Sequence, residues 1–359
     1  MQIISLKLQF NLTRLKRPRH CKIVFMRIAI VKLSSLGDIV HAMVVLQFIK
    51  KYNQEIMIDW FVEEQYKELL ESHPHINKVH SVNFQELKKK KSILILIKEL
   101  IRIRKLHSYD LVIDMQGLIK SAIISWFISS KHTIGFDKFS IREKMASIFY
   151  NKHLNIRYEE NVVRRNFELI KFALNLPFHS SDIKNKLPFL FSDNEYQDFN
   201  LVNFKKNVLV VPGASHPSKR YSTERFSKLT KLLDANYLIL WGNADEELLA
   251  KEIKKNAPNV NICPKLSLMQ LTSLVSQVDL VIGPDTGPSH IAWALNVPSI
   301  TLFGSTPGYR NTIVTEFNKI IESNSEVNPN KIDKNDYSIQ NIKVDNIVDI
   351  AKALLYVEN

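Results

Sequence analysis

Three clusters of small, hydroxyl-bearing and charged residues have the spacing of ligand loops that join a strand to a helix. The first is Lys32-Leu-Ser-Ser-Leu-Gly-Asp38-Ile-Val-His41. Gly37 permits a close backbone approach, and Asp38 falls where a helix should begin. Two roles are open to that carboxylate. It can be a first-turn acid favoured by the helix dipole, or a general base that takes a proton from an attacking hydroxyl. The second cluster is Val211-Pro-Gly-Ala-Ser215-His-Pro-Ser-Lys219-Arg220. A small turn leading to a cation suits a diphosphate, although an ordinary loop with a solvated Lys-Arg pair has the same composition. The third is Gly283-Pro-Asp285-Thr286-Gly287-Pro288-Ser289-His290. It offers backbone amides at a helix start, where the missing N–H of Pro288 costs nothing and an anion is welcome. Asp285 and Thr286 could equally be caps, with His290 packed beneath; otherwise His290 would donate to a phosphate. The first loop is neither a GxGxxG fingerprint nor a Walker loop, which argues against dinucleotide and ATP binding. With no HExxH, CxxC or dense carboxylate group, no metal site is expected.

Such loops need elements to hold them. Short β-branched or aromatic runs alternate with stretches of helical period, the signature of βα units and parallel sheets. In the first half, strands are predicted at 27–32, 56–62, 78–82, 111–114 and 132–135. Helices fall near 38–51, 64–71, 94–106 and 118–129, then an irregular stretch at 136–159 and a helix at 161–174. A polar, turn-rich segment at 176–206 follows. The pattern then restarts with strands at 208–211, 237–241, 259–262, 279–282 and 299–303, and helices at 223–234, 245–255, 267–277 and 288–295. A last amphipathic helix, 343–356, is expected to fold back on the first domain. The expectation is an α/β chain of two Rossmann-like domains, 26–190 and 205–340, facing each other across a cleft, with 341–359 as a C-terminal helix. Ligands in such sheets bind beyond the carboxyl ends of the strands, where all three clusters fall.

Composition narrows the class. The 359 residues are 45% hydrophobic and 24% charged, ordinary for a globular chain long enough for two cores. The net charge of +13 is the unusual feature, and it favours an anionic partner: nucleic acid, a phosphorylated substrate or an acidic membrane surface. Two cysteines, Cys21 and Cys263, are too few for a disulfide framework to organise the chain. No run is long enough for a membrane span. Residues 1–25 carry Lys7, Arg14, Lys16, Arg17, Arg19 and Lys22 with no acidic residue. They read as a basic extension outside the fold, with Met26 as the expected biological start.

The three clusters, in this order and spacing, resemble those of the lipopolysaccharide heptosyltransferases, glycosyltransferase family 9, from about residue 26 to the C-terminus. Further shared features are Asp-Trp-Phe-Val-Glu-Glu at 59–64, Asp-Met-Gln-Gly-Leu-Ile-Lys-Ser-Ala at 114–122, Arg-Glu-Lys-Met-Ala-Ser-Ile-Phe-Tyr-Asn at 142–151 and Trp-Gly at 241–242. They are closest to the branch that adds the first heptose to Kdo of the inner core.

The resemblance implies a GT-B fold and an inverting, metal-independent, cofactor-free transfer of heptose from ADP-heptose to Kdo-lipid A. Asp38 aligns with the family's general base. Ala214, Ser215, Lys219, Glu246, Leu266, Asp285, Thr286, Gly287 and His290 align with donor-lining positions. Lys88, Lys89 and Arg142, with Lys32 beside them, correspond to acceptor-binding basic residues, although a lysine run such as 88–91 is also what a solvated turn looks like. Ala214 stands where relatives often carry a hydroxyl, and Leu266 where they can carry Met. The expected partners are ADP-heptose, Kdo-lipid A and the anionic surface of the inner membrane's cytoplasmic face. The chain is expected to act there peripherally as a monomer, with no nucleic acid, since no nucleic-acid module is recognisable. The alternatives are a relative acting later in the core and a non-catalytic sugar-nucleotide-binding protein.

Overall fold

The computed structural model describes residues 26–84, 93–192, 199–329 and 332–356. The basic extension 1–25, Lys88 and Lys89 lie outside these residues. Two six-stranded, wholly parallel sheets form the framework, one per lobe. The first contains β1 (Arg27–Val31), β2 (Met57–Glu63), β3 (Lys78–Val82), β4 (Tyr109–Asp114), β5 (Ser130–Phe136) and β6 (Lys152–Leu154), in the order β3-β2-β1-β4-β5-β6. The second contains β7 (Asn207–Val210), β8 (Asn236–Ile239), β9 (Asn261–Ile262), β10 (Leu280–Pro284), β11 (Ser299–Phe303) and β12 (Asn318–Glu322), in the order β12-β11-β10-β7-β8-β9. The central runs are buried on both faces: Ile28, Ala29, Ile30 and Val31 of β1 are wholly covered, as are Val208, Leu209 and Val210 of β7. Near-continuous apolar strands of this kind require helices on both sides, which βα crossovers supply.

In each sheet the chain direction of the crossovers reverses beside the first strand, between β1 and β4 and between β7 and β10. That reversal opens a crevice at the carboxyl ends of the strands. The loops after β1, β4, β7 and β10 therefore face one another, and the three sequence clusters are among them.

The lobes meet through the Leu36–Met43 helix of the first and the Gly287–Leu295 helix of the second, which share a continuous apolar cluster. Glycine makes the close crossing possible. A Cβ on Gly37 would lie 2.3 Å from His290 Cδ2, and one on Gly287 would lie 2.3 Å from Leu36 Cδ2. His41 packs edge-on against His290 at 4.2 Å between ring centroids and against Trp293 at 5.4 Å. The connecting segment adds to this seam. Lys186 donates to Trp293 O and Asn296 Oδ1 at the end of the 287–295 helix, and Leu187 N donates to Gln47 Oε1 at 3.0 Å.

Several expectations need correction. The predicted helix 38–51 is two helices, Leu36–Met43 and Val45–Tyr52, divided at Val44. The irregular stretch 136–159 contains a 3-10 turn, Lys144–Phe149, and the edge strand β6. The edge strand β12 and the short Gly308–Asn311 helix were not expected. The C-terminal helix, Val344–Leu355, packs in the second lobe instead of returning to the first. Its apolar stripe of Val344, Ile347, Val348, Ala351 and Leu355 joins the core formed by Val208, Phe226, Ile282 and Ile300. Burying Ile347 and Leu355 stabilises that position by roughly 1.5–3 kcal/mol each.

Candidate active site

The facing loops enclose a cleft of about 720 Å³. From the first lobe it is lined by Lys32, Asp38, His41, Gln116, Arg142 and Arg165; from the second by Ala214, Ser215, Lys219, Glu246, Leu266, Asp285, Thr286, Gly287 and His290. Every candidate catalytic, donor-binding or acceptor-binding residue that lies among the described residues is on this lining. Those residues come from loops far apart in the chain, brought together by the two sheet reversals.

Asp38 is in the first turn of its helix and its Oδ2 accepts from Ser35 N at 3.2 Å and from Ser35 Oγ at 2.9 Å. The two readings of this residue are thus compatible. One oxygen completes a capping arrangement, which fixes the rotamer, while the half-exposed side chain lines the cleft. Behind it, the loop is held by Gln116, whose Oε1 accepts from Leu33 N at 3.0 Å and Ser34 N at 3.2 Å. Gln116 is in turn positioned by Asp114 Oδ1, which accepts from Gln116 N at 2.8 Å and Gly117 N at 3.2 Å. Lys32 is buried and donates through Nζ to Met115 O at 3.0 Å. Burial lowers its pKa, while Asp38 and Asp114 pull in the opposite direction.

In the second lobe the organising group is Asp285. Its Oδ2 receives Lys219 Nζ at 2.8 Å, Asn311 Nδ2 at 3.0 Å and Thr306 Oγ1 at 3.1 Å; its Oδ1 is 3.1 Å from His290 Nε2. Burial opposes the charge, but Lys219 and His290 outweigh it and hold the carboxyl well below the usual range. The carboxylate therefore orients Lys219 and its neutral neighbours; it is not itself aimed at an anion. His290 lines the cleft with its Nε2 held by Asp285 and its ring packed against His41. Thr286 is the N-cap of the 287–295 helix, and the amides at that end open on the cleft. Along the cleft, Leu240, Leu266, Leu268 and Leu271 form an apolar recess beside Trp241, whose Nε1 donates to Cys263 O at 2.7 Å. Glu246 lies over Gly213, where any Cβ would be 2.3 Å from Glu246 Cδ, and its Oε2 accepts from Gly242 N at 2.8 Å.

Sequence reasoning missed Thr306, Asn311 and Arg310. The signal was available: Gly304-Ser-Thr-Pro-Gly308 follows the strand β11 as the other clusters follow theirs. It also missed the contacts that draw the lobes together beside the cleft. Glu68 of the first lobe sits on the N-terminus of the Leu268–Gln277 helix of the second, accepting from Ser267 Oγ at 2.5 Å and from Leu268 N and Met269 N at 3.3 Å. Arg310 of the second lobe donates to Tyr158 O of the first at 3.1 Å, its guanidinium over the Tyr158 ring. Among the described residues, no helix is long and apolar enough to cross a membrane.

Comparison with known proteins gives this cleft its context. The glycosyltransferase family 9 (heptosyltransferase) pattern matches residues 97–338. Lipopolysaccharide heptosyltransferase 1 of Campylobacter coli is 40% identical over 344 residues, covering 92% of this chain and 99% of that one. The structure of Escherichia coli heptosyltransferase WaaC with ADP superposes with a TM-score of 0.75 at 25% identity, over 92% of this chain and 100% of that chain. WaaC with ADP-2-deoxy-2-fluoro heptose superposes with a TM-score of 0.73 at 25% identity, over 91% and 99%. The two facing Rossmann-like lobes are the GT-B arrangement of these neighbours, and the chain is a glycosyltransferase belonging to family 9, the heptosyltransferases.

Proposed function

We propose that this enzyme transfers heptose from ADP-heptose to a Kdo residue of Kdo-lipid A, with inversion at the anomeric carbon and without a metal ion. The observation that carries the proposal is the confrontation across one cleft of Asp38 with Lys219 and the helix N-terminus at Thr286–Gly287. The names of the relatives support the donor and the pathway: one is a lipopolysaccharide heptosyltransferase 1, and another was solved with an ADP-heptose analogue.

Asp38 acts as the base. Both of its hydrogen bonds fall on Oδ2, so Oδ1 takes the proton from the acceptor hydroxyl as that oxygen attacks. ADP leaves from the opposite face of the sugar. Negative charge grows on the diphosphate as the glycosidic bond breaks, and Lys219 with the amides of Thr286 and Gly287 meets it more strongly then than in the ground state. Asp285 keeps Lys219 from collapsing onto other acceptors, so little reorganisation accompanies charge development. The leucine recess takes adenine and Glu246 takes a ribose hydroxyl. Ser215 and the backbone at Ala214 flank the phosphates. Arg142, with Lys32 and the lysines at 88 and 89, takes the acceptor's carboxylate and phosphates. The protein works as a monomer on the cytoplasmic face of the inner membrane.

The test is a transfer assay with purified protein, ADP-heptose and Kdo-lipid A lacking heptose, the product read by mass and anomeric configuration. One heptose added with inversion is expected. No product on this acceptor, with transfer onto one that already carries the first heptose, would replace the proposal with a later-acting member of the family.

A further inference from the structure

We infer that the outer helical layer of the first lobe is a docking surface for an anionic lipid bilayer. The inference rests on the reading of a lipid-borne acceptor and gives it a place on the protein. Three adjacent elements form the surface: the Ile93–Arg104 helix, the Ile119–Phe127 helix beside it, and the Lys144–Phe149 turn beside that.

The Ile93–Arg104 helix has two apolar stripes where one would suffice. Leu96, Leu100 and Ile103 pack inward with Ile124 and Ile128 against β1 and β4. Leu94, Ile97 and Ile101, spaced three and four residues apart, are exposed on its other side. The neighbouring elements continue the exposed apolar surface with Trp126 at 58% exposure, Met145 at 61% and Ile148 at 66%. Trp126 rests against Phe127 and Phe149, which fixes its ring at the surface. Scattered apolar side chains need no explanation, but a run across three neighbouring elements does.

Charge identifies the occupant. Lys98, Arg104, Lys105, Lys138 and Lys144 are exposed around these residues. The acids nearby are fewer: Glu99 is paired with Arg102, and Asp137 and Glu143, held by neutral donors, leave the cations in excess. Apolar side chains ringed by cations, with a tryptophan among them, match the acyl boundary and anionic headgroups of a membrane surface better than another protein's rim. The location also fits. The 93–104 helix leads into β4 and the 119–127 helix follows it, so the first begins, like the second, at the carboxyl ends of the strands. Leu118, Ile141 and Arg142, from the same segments, line the cleft. A lipid-anchored sugar can reach the cleft while its acyl chains stay in the bilayer beneath this layer.

The experiment uses vesicles of phosphatidylcholine with and without phosphatidylglycerol and no acceptor. The wild-type protein is expected to sediment with the anionic vesicles, to be released by salt, and to show a blue shift of emission that is lost when Trp126 is replaced; Trp60 and Trp293 are buried, and the half-buried Trp241 of the cleft is present in both proteins. The triple variant Ile97→Gln, Ile101→Gln, Trp126→Gln should bind at least about tenfold more weakly. It should keep wild-type transfer onto an acceptor fragment without acyl chains, which shows that it folds. Unchanged vesicle binding by the variant, no binding by the wild type, or a dimer that the variant dissociates would each overturn the surface. Failure of transfer onto Kdo with vesicle binding intact overturns the acceptor reading instead.

Discussion

Replacing Asp285 by asparagine removes one charge from the centre of the second lobe's loops and keeps the shape of the side chain. The amide oxygen can still meet Lys219, Thr306 and Asn311, and the amide nitrogen can face His290, so the perturbation is mainly electrostatic. At the 2.8 Å separation from Lys219 Nζ, two unit charges attract by roughly 6 kcal/mol at an effective dielectric of about 20. Desolvation of the pair offsets much of that, and leaving one buried partner uncompensated costs about 3–5 kcal/mol in comparable cases. Lys219 keeps 17% side-chain exposure and can recover some hydration, so the low end, about 3 kcal/mol, is the expectation. For a domain of this size that is a Tm drop of about 6–12 °C. Lys219 would also lose the tether that holds it over the departing diphosphate, with a loss in kcat of about 10²–10³-fold. The carboxyl's folded-state pKa is depressed, so its contribution is present above the ordinary value of 3.8 and lost as pH falls through the folded value. The gap between wild type and variant should therefore be flat near neutrality and close only in acid. The assays are thermal unfolding with and without ADP across pH, and initial transfer rates. A variant with wild-type Tm and near-normal turnover would refute the assignment of Asp285 as the organiser of this site.

Two further outcomes follow from the contacts between lobes. His73 is buried beside Phe191, and burial with His75 nearby lowers its pKa to about 4; the unfolded chain then binds a proton that the folded one refuses, so stability is full above 6.5 and declines as pH falls towards 4. His73→Gln should flatten that decline in chemical denaturation, and an unchanged slope would show that His73 is not its source. Glu68→Gln removes the charge seated on the 268–277 helix across the cleft, at a cost of about 1 kcal/mol. Small-angle scattering should show a wider distribution of lobe separations, and curves superposable on wild type would contradict a closing role.

How far the sequence carries depends on how local the physics is. The strands Lys78–Val82 and Ser299–Phe303 agree with expectation to the residue, because β-branched runs bounded by polar turns are a local signal. The edge strands β6 and β12 were missed, since a strand covered on one side tolerates lysine, asparagine and glutamate and loses the apolar run. The wrong docking of the Val344–Leu355 helix has a similar cause: amphipathicity states that a face is buried, not against what. At the cleft, residue types at strand ends marked Asp38, Lys219 and Thr286. The partnership of Asp285 with Lys219, 66 positions away, and with Asn311, 26 positions away, exists only once β7, β10 and β11 lie side by side. The same is true of Lys186, which finds Trp293 O at a separation of 107 positions.

The measurement that bears most directly on the account is the turnover of Asp38→Asn. Asparagine retains the shape of the side chain and can still accept from Ser35, but it cannot take a proton. The account predicts ADP-heptose binding within a few-fold of wild type and a loss of transfer of at least about 10²–10⁴-fold. Transfer at wild-type rates, or a loss fully explained by weaker donor binding, would contradict it.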